Sequence, residues 1–427
     1  MAICYTIAAI YNIKYKVTMT NFIKTVAVFW GGRSPEHDVS IVTGLQAFQA
    51  IDRSQYLPFA VYIDPIGRWW VGKGLEKRDT YLLTPEFCRS HLTQVTLDLT
   101  ANAPRPRLIA VGKKGLFCAK PKTFEFDVAL LAFHGLYGED GAIQGALALA
   151  NVPHTGAGVR PSAMMMSKSA TKEALDGTGI PLLPHTVIRR PGQRLLLTAD
   201  ELKEATHDMV FPVIVKPNHL GSSIGVAKAN TTEELNAVLP AVFKYDDAAI
   251  IEPFVENLCE YNLAVMRNTQ GEVCTSAIER PKRSDALLDF KQKYLSGGDN
   301  KTGSKIAGAE ASQGMLSLTR DINPKDLSKK QIQDLQHWAK TAFDVLDAAG
   351  SPRIDFLCNA KTGEMWLNEI NPIPGSFGYF LWEAAPENPL LFTELLNTLL
   401  SQAQQQHARR QLPPDPTPED ARLFKRS

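Results

Sequence analysis

Residues 353–372 read RIDFLCNAKTGEMWLNEINP, and the fold turns on how this stretch pairs with itself. Asn359 to Gly363 is rich in turn residues, and Thr362 near its centre is equidistant from Asp355 and Glu369. A hairpin about that centre sets the two carboxylates opposite each other. Glu369 and Asn371, two apart, share a strand face. Three oxygen donors without a Cys or His among them suit Mg²⁺ or Mn²⁺ better than zinc. The plain alternative is an acidic, solvated hairpin face. Against it, both carboxylates sit among Ile354, Phe356, Leu357, Trp366 and Leu367, in strands expected to be substantially buried. Burying carboxylates without a cation is costly, which favours a metal.

Upstream, Val215-Lys216-Pro217 runs into Gly221-Ser222-Ser223-Ile224-Gly225. Glycines let backbone N–H groups approach phosphate oxygens, serines add donors, and Lys216 at the strand end supplies charge. Such a loop is more often an ordinary hairpin turn, and no helix follows it as one follows a P-loop. A P-loop look-alike, Gly67 to Lys73, has Gly74 where Ser or Thr should stand and two tryptophans that would obstruct a phosphate nest. No G-x-G-x-x-G follows the first strand, which disfavours a dehydrogenase. A lysine beside phosphates, a mobile loop and an oxygen-ligand metal site together describe a nucleotide enzyme that works by positioning and electrostatics.

Around these signals the chain divides into blocks. At 427 residues it is long enough for two or three domains. From about Thr25 to Thr155, KTVAVFW, FAVYI and FDVALLAFHG read as strands between helices at Val39 to Ile51 and DGAIQGALALANV. That order predicts an open, largely parallel sheet with sites at Gly31 to Ser40 and His134 to Asp140. The expected division is an extension at 1–24, a first domain at 25–155, a central domain at 156–248 with one helix from Pro161 through Lys172, and a third at 249–400. The third opens with AIIEPFV. It holds an aperiodic stretch rich in Gly, Ser and Lys at 282–313, which reads as a lid or an insertion. Ile332, Leu335, Trp338, Phe343 and Leu346 mark a helix ending at Gly350. Residues 401–427 are expected to be a disordered tail.

Composition narrows the partners. Forty-six Lys and Arg against 45 Asp and Glu leave +1, so there is no overall basic field for nucleic acid or an anionic membrane. Cys4, Cys88, Cys118, Cys259, Cys274 and Cys358 form no C-x-x-C pair, so a disulfide scaffold or zinc knuckle is not expected. The start, MAICYTIAAIYNIKYK, is too short to span a bilayer and lacks a cleavage site. It reads as an upstream start, with Met19 the natural beginning, and the expected compartment is cytoplasmic.

The motifs GGRSPEHDVS, HGLYGEDGAIQGAL, HTGAGV, FPVIVKPNHLGSSIGV, KQKYLS and RIDF with NEINPIPG occur in that order over roughly Thr25 to Leu400. In this set the chain resembles the ATP-grasp carboxylate–amine ligases, and among them the D-alanine–D-alanine ligase family. The resemblance implies an α/β chain with the ATP-grasp fold: a Rossmann-like N-terminal open sheet and two grasp domains enclosing ATP. It implies two Mg²⁺ (or Mn²⁺) ions held by Asp355, Glu369 and Asn371, and phosphates held by Lys168 and Lys216 with Gly221, Ser222 and Ser223. Adenine would be read along Glu252 to Val255, and the ribose by Glu260.

By the same resemblance Glu36 binds the ammonium of the first D-alanine and His134 lies near its carboxylate. Arg353 and the Gly375 N–H stabilise the tetrahedral oxyanion. Ser222 and Tyr294, with Glu36, latch the lid, and Lys293 with Tyr294 matches ligases that prefer an amine acceptor over lactate. The product would be D-alanyl-D-alanine for peptidoglycan, made by a homodimer. Phe380 stands where the family has the serine that holds the second substrate's carboxylate, so either Ser376 does that work or the acceptor differs. Two alternatives stay open: another amino or hydroxy acid as acceptor, and a nucleotide-binding paralogue without catalysis. Arg353 counts against the latter, since a binder has no need of an oxyanion donor.

Overall fold

The computed structural model describes residues 23–82, 90–101, 103–112, 121–192, 194–221, 224–282, 320–413, 417–418 and 421–423. Strand β1 (Lys24–Gly31) is a near-continuous apolar run whose Val26 to Trp30 have no exposed surface, the pattern of a strand covered on both faces. It lies parallel to β2 (Tyr56–Ile63) on one side and β7 (Val128–Leu131) on the other, with helix α1 (His37–Ala50) packed against it. The loops that leave the carboxyl ends of β1 and β7 are therefore neighbours. After the second of them comes α2 (Ala142–Leu149).

Beyond β2 the sheet continues through β3 (Trp69–Val71), β4 (Thr93–Leu97), β5 (Arg107–Ala110) and β6 (Thr123–Glu125), each antiparallel to the last. The order is β6-β5-β4-β3-β2-β1-β7. The expected largely parallel sheet is thus parallel only across β2, β1 and β7. Strands β3 to β6 are three to five residues long, too short to show a period-two pattern. The P-loop look-alike is the β2–β3 turn followed by β3.

The single helix expected from Pro161 through Lys172 is two, α3 (Val159–Met166) and α4 (Lys168–Leu175). Ser167 separates them with extended backbone, and its Oγ caps α4 by accepting the Ala170 N–H at 3.3 Å. The central sheet, all antiparallel, has the order β10-β9-β11-β8, from β8 (Thr186–Arg189), β9 (Val213–Pro217), β10 (Ala227–Ala229) and β11 (Ala248–Pro253). Helices α5 (Ala199–Ala205) and α6 (Thr232–Phe243) belong to it. Strand β11 is the AIIEP run placed at the opening of the third domain. It inserts between β8 and β9 instead, a return that local pattern does not reveal.

The third sheet is β14-β13-β12-β15-β16, antiparallel throughout, from β12 (Leu258–Arg267), β13 (Val273–Pro281), β14 (Arg320–Ile322), β15 (Arg353–Asn359) and β16 (Met365–Asn371). Helix α7 (Lys329–Val345) opens with a Ser328–Gln331 capping box and buries Leu335, Ala339, Ala342 and Phe343. The lid expected at 282–313 lies, apart from Lys282, outside the described residues, as do residues 1–22 with Met19.

After β16 come α8 (Tyr379–Glu383) and α9 (Phe392–Arg409). The tail expected to be disordered from 401 is instead helical through Arg409. Leu395, Leu396, Leu399, Leu400 and Ala403 form a buried stripe at helical spacing, which outweighs the glutamine-rich polar face. That stripe shares one core with β1, β2 and β7, and also with Ala264, Met266, Phe377 and Trp382. The face of the third sheet under α7 has a second core, and the central sheet a separate one of its own. Among the described residues no helix is long and apolar enough to cross a membrane.

Candidate active site

Strands β15 and β16 form the hairpin, with Asp355 paired to Glu369 and Arg353 to Asn371. A bulge after Asp355 shifts the remaining register, so Phe356 pairs with Leu367. On the other side Asp355 pairs with Asn262 and Asn262 with Glu279, giving a polar row across the sheet. Burial pushes the Asp355 carboxyl up, to about 6. Arg353 pulls the other way through Nε and Nη2, each 2.7 Å from an Asp355 oxygen, while Glu369 and Glu279 add to the rise. Asn371 Nδ2 also donates to Asp355, at 3.0 Å. Two carboxylates at paired strand positions and an amide bonded to one of them, with like charge raising Asp355, are a donor set that a hard divalent cation fits.

Two lysines face this row. Lys168 begins α4, and its Nζ donates to the Leu220 carbonyl at 2.6 Å and lies 3.2 Å from Glu369 Oε2. Lys216, next to last in β9, donates to Asn368 Oδ1 at 2.9 Å. Glu252, almost fully buried, pairs with Lys216 and with Lys172, whose Nζ is 2.7 Å away. Burial alone would raise the Glu252 carboxyl, but the two ammonium groups outweigh it and hold it at about 2. The Glu252 side chain is therefore committed to lysines, leaving its backbone and Val255 for any base. Val255 packs with Leu183 and Leu357, and Glu260 shares the strand face of Asn262. Lys172 is absent from the sequence-based set. Its signal is its position one turn after Lys168 on one helix face.

The first-sheet loops close the other side. Glu36, at the N-cap of α1, is 6% exposed. Gly135, at φ +74°, could carry no side chain there: a Cβ would lie 2.5 Å from Glu36 Oε2 and from Ser34 Oγ. His134 Nε2 is 2.8 Å from Thr43 Oγ1, which also accepts the Ser376 N–H at 3.1 Å. Burial holds the His134 imidazole down, at about 4, so it is neutral at neutral pH. Glu139, buried and also unanticipated, accepts the Gly135 N–H at 2.6 Å and the Ile373 N–H at 2.8 Å, tying the first sheet to the third. Burial, then the charge of Glu36, pushes its carboxyl up to about 8.

A narrow cavity of about 40 Å³ is lined by Glu36, His134, Lys168, Gly221, Arg353, Glu369, Asn371 and Gly375. Lys216 and Asp355 bond to or pair with residues of its third-sheet side. After Gly375 the backbone makes a left-handed turn with φ near +51° at Ser376 and +58° at Phe377. That turn sends the Ser376 hydroxyl to Gln46 of α1. Phe380, on α8, is half-buried beneath the Arg320 guanidinium, 4.5 Å from its ring centroid. Ser222, Ser223, Lys293 and Tyr294 lie outside the described residues.

Residues 25–157 match the family model for the D-ala D-ala ligase N-terminus, and residues 174–401 match that for the D-ala D-ala ligase C-terminus. The chain belongs to the D-alanine–D-alanine ligase family. The D-alanine–D-alanine ligase of Thermosipho africanus is 31% identical over 376 residues, 88% of this chain and 92% of that one. D-alanine–D-alanine ligase A of Bradyrhizobium diazoefficiens is 30% identical over 394 residues, 90% of this chain and 96% of its own. The solved D-alanine–D-alanine ligase of Coxiella burnetii superposes with a TM-score of 0.69 at 25% identity, covering 91% of this chain and 96% of that chain. The three sheets are accordingly the ATP-grasp fold of the D-alanine–D-alanine ligases, with the cleft where their two grasp sheets and open sheet meet.

Proposed function

We propose that this chain joins two D-alanines with ATP, giving D-alanyl-D-alanine, ADP and phosphate for peptidoglycan synthesis. The donor carboxylate attacks the γ-phosphorus and ADP leaves. The acceptor amine then attacks the carbonyl of the D-alanyl phosphate, losing a proton as phosphate departs. Lys168 and Lys216, the latter aimed by Glu252 and Asn368, hold the phosphates. Asp355, Glu369 and Asn371 would hold two divalent ions, which when bound would supply neutralising charge at the transferring phosphoryl group. Glu36 takes the donor ammonium. His134, neutral because it is buried, lies near the donor carboxylate without adding a positive charge that would blunt its attack. Arg353, braced by Asp355, and the Gly375 N–H meet the oxyanion, where charge develops only in the transition state.

What carries this reading is the convergence of Glu36 and His134 with Lys168, Arg353 and Glu369 on one cleft, in a chain whose family membership spans both halves. D-Alanine-dependent phosphate release from Mg²⁺-ATP tests it, and no release at saturating substrate would refute it. Arg353→Ala should lose turnover by about a hundredfold or more while ATP binding persists. Ser222, Lys293 and Tyr294 keep the lid roles implied by family resemblance, and that resemblance also implies a cytoplasmic homodimer, which sedimentation checks. A second reading, a different amino or hydroxy acid as acceptor, is favoured by Phe380. A product screen with D-alanine and varied acceptors separates the two.

A further inference from the structure

The polar row across the third sheet has two ends. At one, Asp355 and Glu369 have Arg353 and Lys168 as counter-charges. At the other, Glu279 is 1% exposed and accepts from Asn262 Nδ2 at 3.1 Å and from Arg320 Nη1 at 2.8 Å. Arg320 lies on β14 with 28% of its side chain exposed, one face of its guanidinium on the Phe380 ring. A carboxylate at one edge and a ring against one face fix the fork and direct its remaining N–H groups outward. No acceptor among the described residues meets them.

Asn262 supplies a second observation. It is 4% exposed, and its Oδ1 is buried without a donor among the described residues. Because Nδ2 faces Glu279, Oδ1 turns toward the Asp355 side of the row. A guanidinium with open donors at one end of the row and, within the row, an amide oxygen lacking a donor complement a small zwitterion.

In the proposed ligation the donor carboxylate is converted to an acyl phosphate, whereas the acceptor carboxylate keeps its charge through to product. It needs a counter-charge that does not compete with the nucleotide. Lys168, Lys216 and Arg353 all stand on the nucleotide and metal side. Phe380 follows Gly375 by five residues and offers no hydrogen bond of its own. We infer that Arg320, seated on Phe380 and braced by Glu279, anchors the carboxylate of the acceptor amino acid. The Phe380 ring is then the apolar floor of the acceptor site.

This inference rests on the ligase reading, and saturation with D-alanine, resolved into donor and acceptor KM, tests the two separately. Arg320→Met keeps an apolar stem on Phe380 and should raise the acceptor KM roughly tenfold to a hundredfold, leaving donor and ATP KM within about twofold. Arg320→Lys, which keeps the charge without the fork, should fall between. If Arg320 served only to neutralise Glu279, the double variant Arg320→Met with Glu279→Gln would recover the wild-type acceptor KM. As an anchor, Arg320 leaves that KM high. An unchanged acceptor KM in Arg320→Met, or its recovery in the double variant, overturns the inference and leaves the ligase standing. No D-alanine-dependent phosphate release by the wild-type chain overturns both.

Discussion

Thr43 shows how much of the site rests on residues without a chemical role. Its hydroxyl accepts from the Ser376 backbone and can donate to His134, so one side chain joins the donor loop to the turn that follows Gly375. Thr43→Val leaves both partners short of a bond and should lower stability by about 1–3 kcal/mol, read from denaturant midpoints, and raise the donor KM more than the ATP KM. Glu139 and His134 carry opposite pH signatures. Glu139 titrates at about 8 against an ordinary 4.5, so its contribution to stability is full below 4.5 and is lost as pH rises through 8. His134, at about 4 against 6.5, lowers stability as pH falls from 6.5 toward 4. Between 6.5 and 8 only Glu139 of the two titrates, so stability should fall by up to about 1.4 kcal/mol per unit. Glu139→Gln should flatten that slope in unfolding curves taken across the window. Arg353 was expected through the RIDF motif and its family resemblance. Thr43, Glu139 and Lys172 were not, because a threonine in an amphipathic helix, an acid in a glycine-rich loop and a lysine a turn from another all read as solvated surface until the fold buries them.

At the scale of elements, the β15–β16 hairpin was the most legible part. Its turn is short, its strands are strongly apolar, and a single centre of pairing fixes which carboxylates meet. Strand β11 joins the central sheet through pairing with β8 and β9, a non-local choice that leaves no mark on its own residues. Its burial also explains the Lys172–Glu252–Lys216 chain: removing one member leaves buried charge uncompensated. Lys172→Met should therefore weaken nucleotide binding through a displaced Lys216 and destabilise the fold by about 3–5 kcal/mol, with Lys172→Arg recovering part of both. Calorimetric titration of Mg²⁺-ATP together with thermal melts checks the two effects. In the hairpin itself, Asp355→Asn with Glu369→Gln removes the negative charge of the donor set. ATP affinity should then lose most of its dependence on Mg²⁺ concentration, measured in the same calorimeter.

Across the whole molecule, the open sheet and the third sheet share one apolar core, while the central sheet has its own. What crosses from the central sheet to its neighbours at the cleft is polar, such as Lys216 to Asn368 and Glu252 to Lys172. Closure over nucleotide is accordingly expected as movement of the central sheet against the other two held together. Dyes placed on α5 and α7 should report a distance change on Mg²⁺-ATP binding, and a pair on α1 and α7 should not. Leu396→Ala in α9 should cost about 2–5 kcal/mol and expose amides of β1 and β7 to hydrogen exchange before those of β9 and β11.

Helix α9 packs beneath β1, β2 and β7 although it is made long after them. During synthesis the open sheet cannot complete its core until residues 392–409 have left the ribosome. The central sheet, whose partners all lie within residues 186–253, can fold long before. The usual order in which nascent domains mature is thereby inverted for this chain. Strands β1, β2 and β7, largely buried, must wait for α9, and in that interval they are segments that need a chaperone.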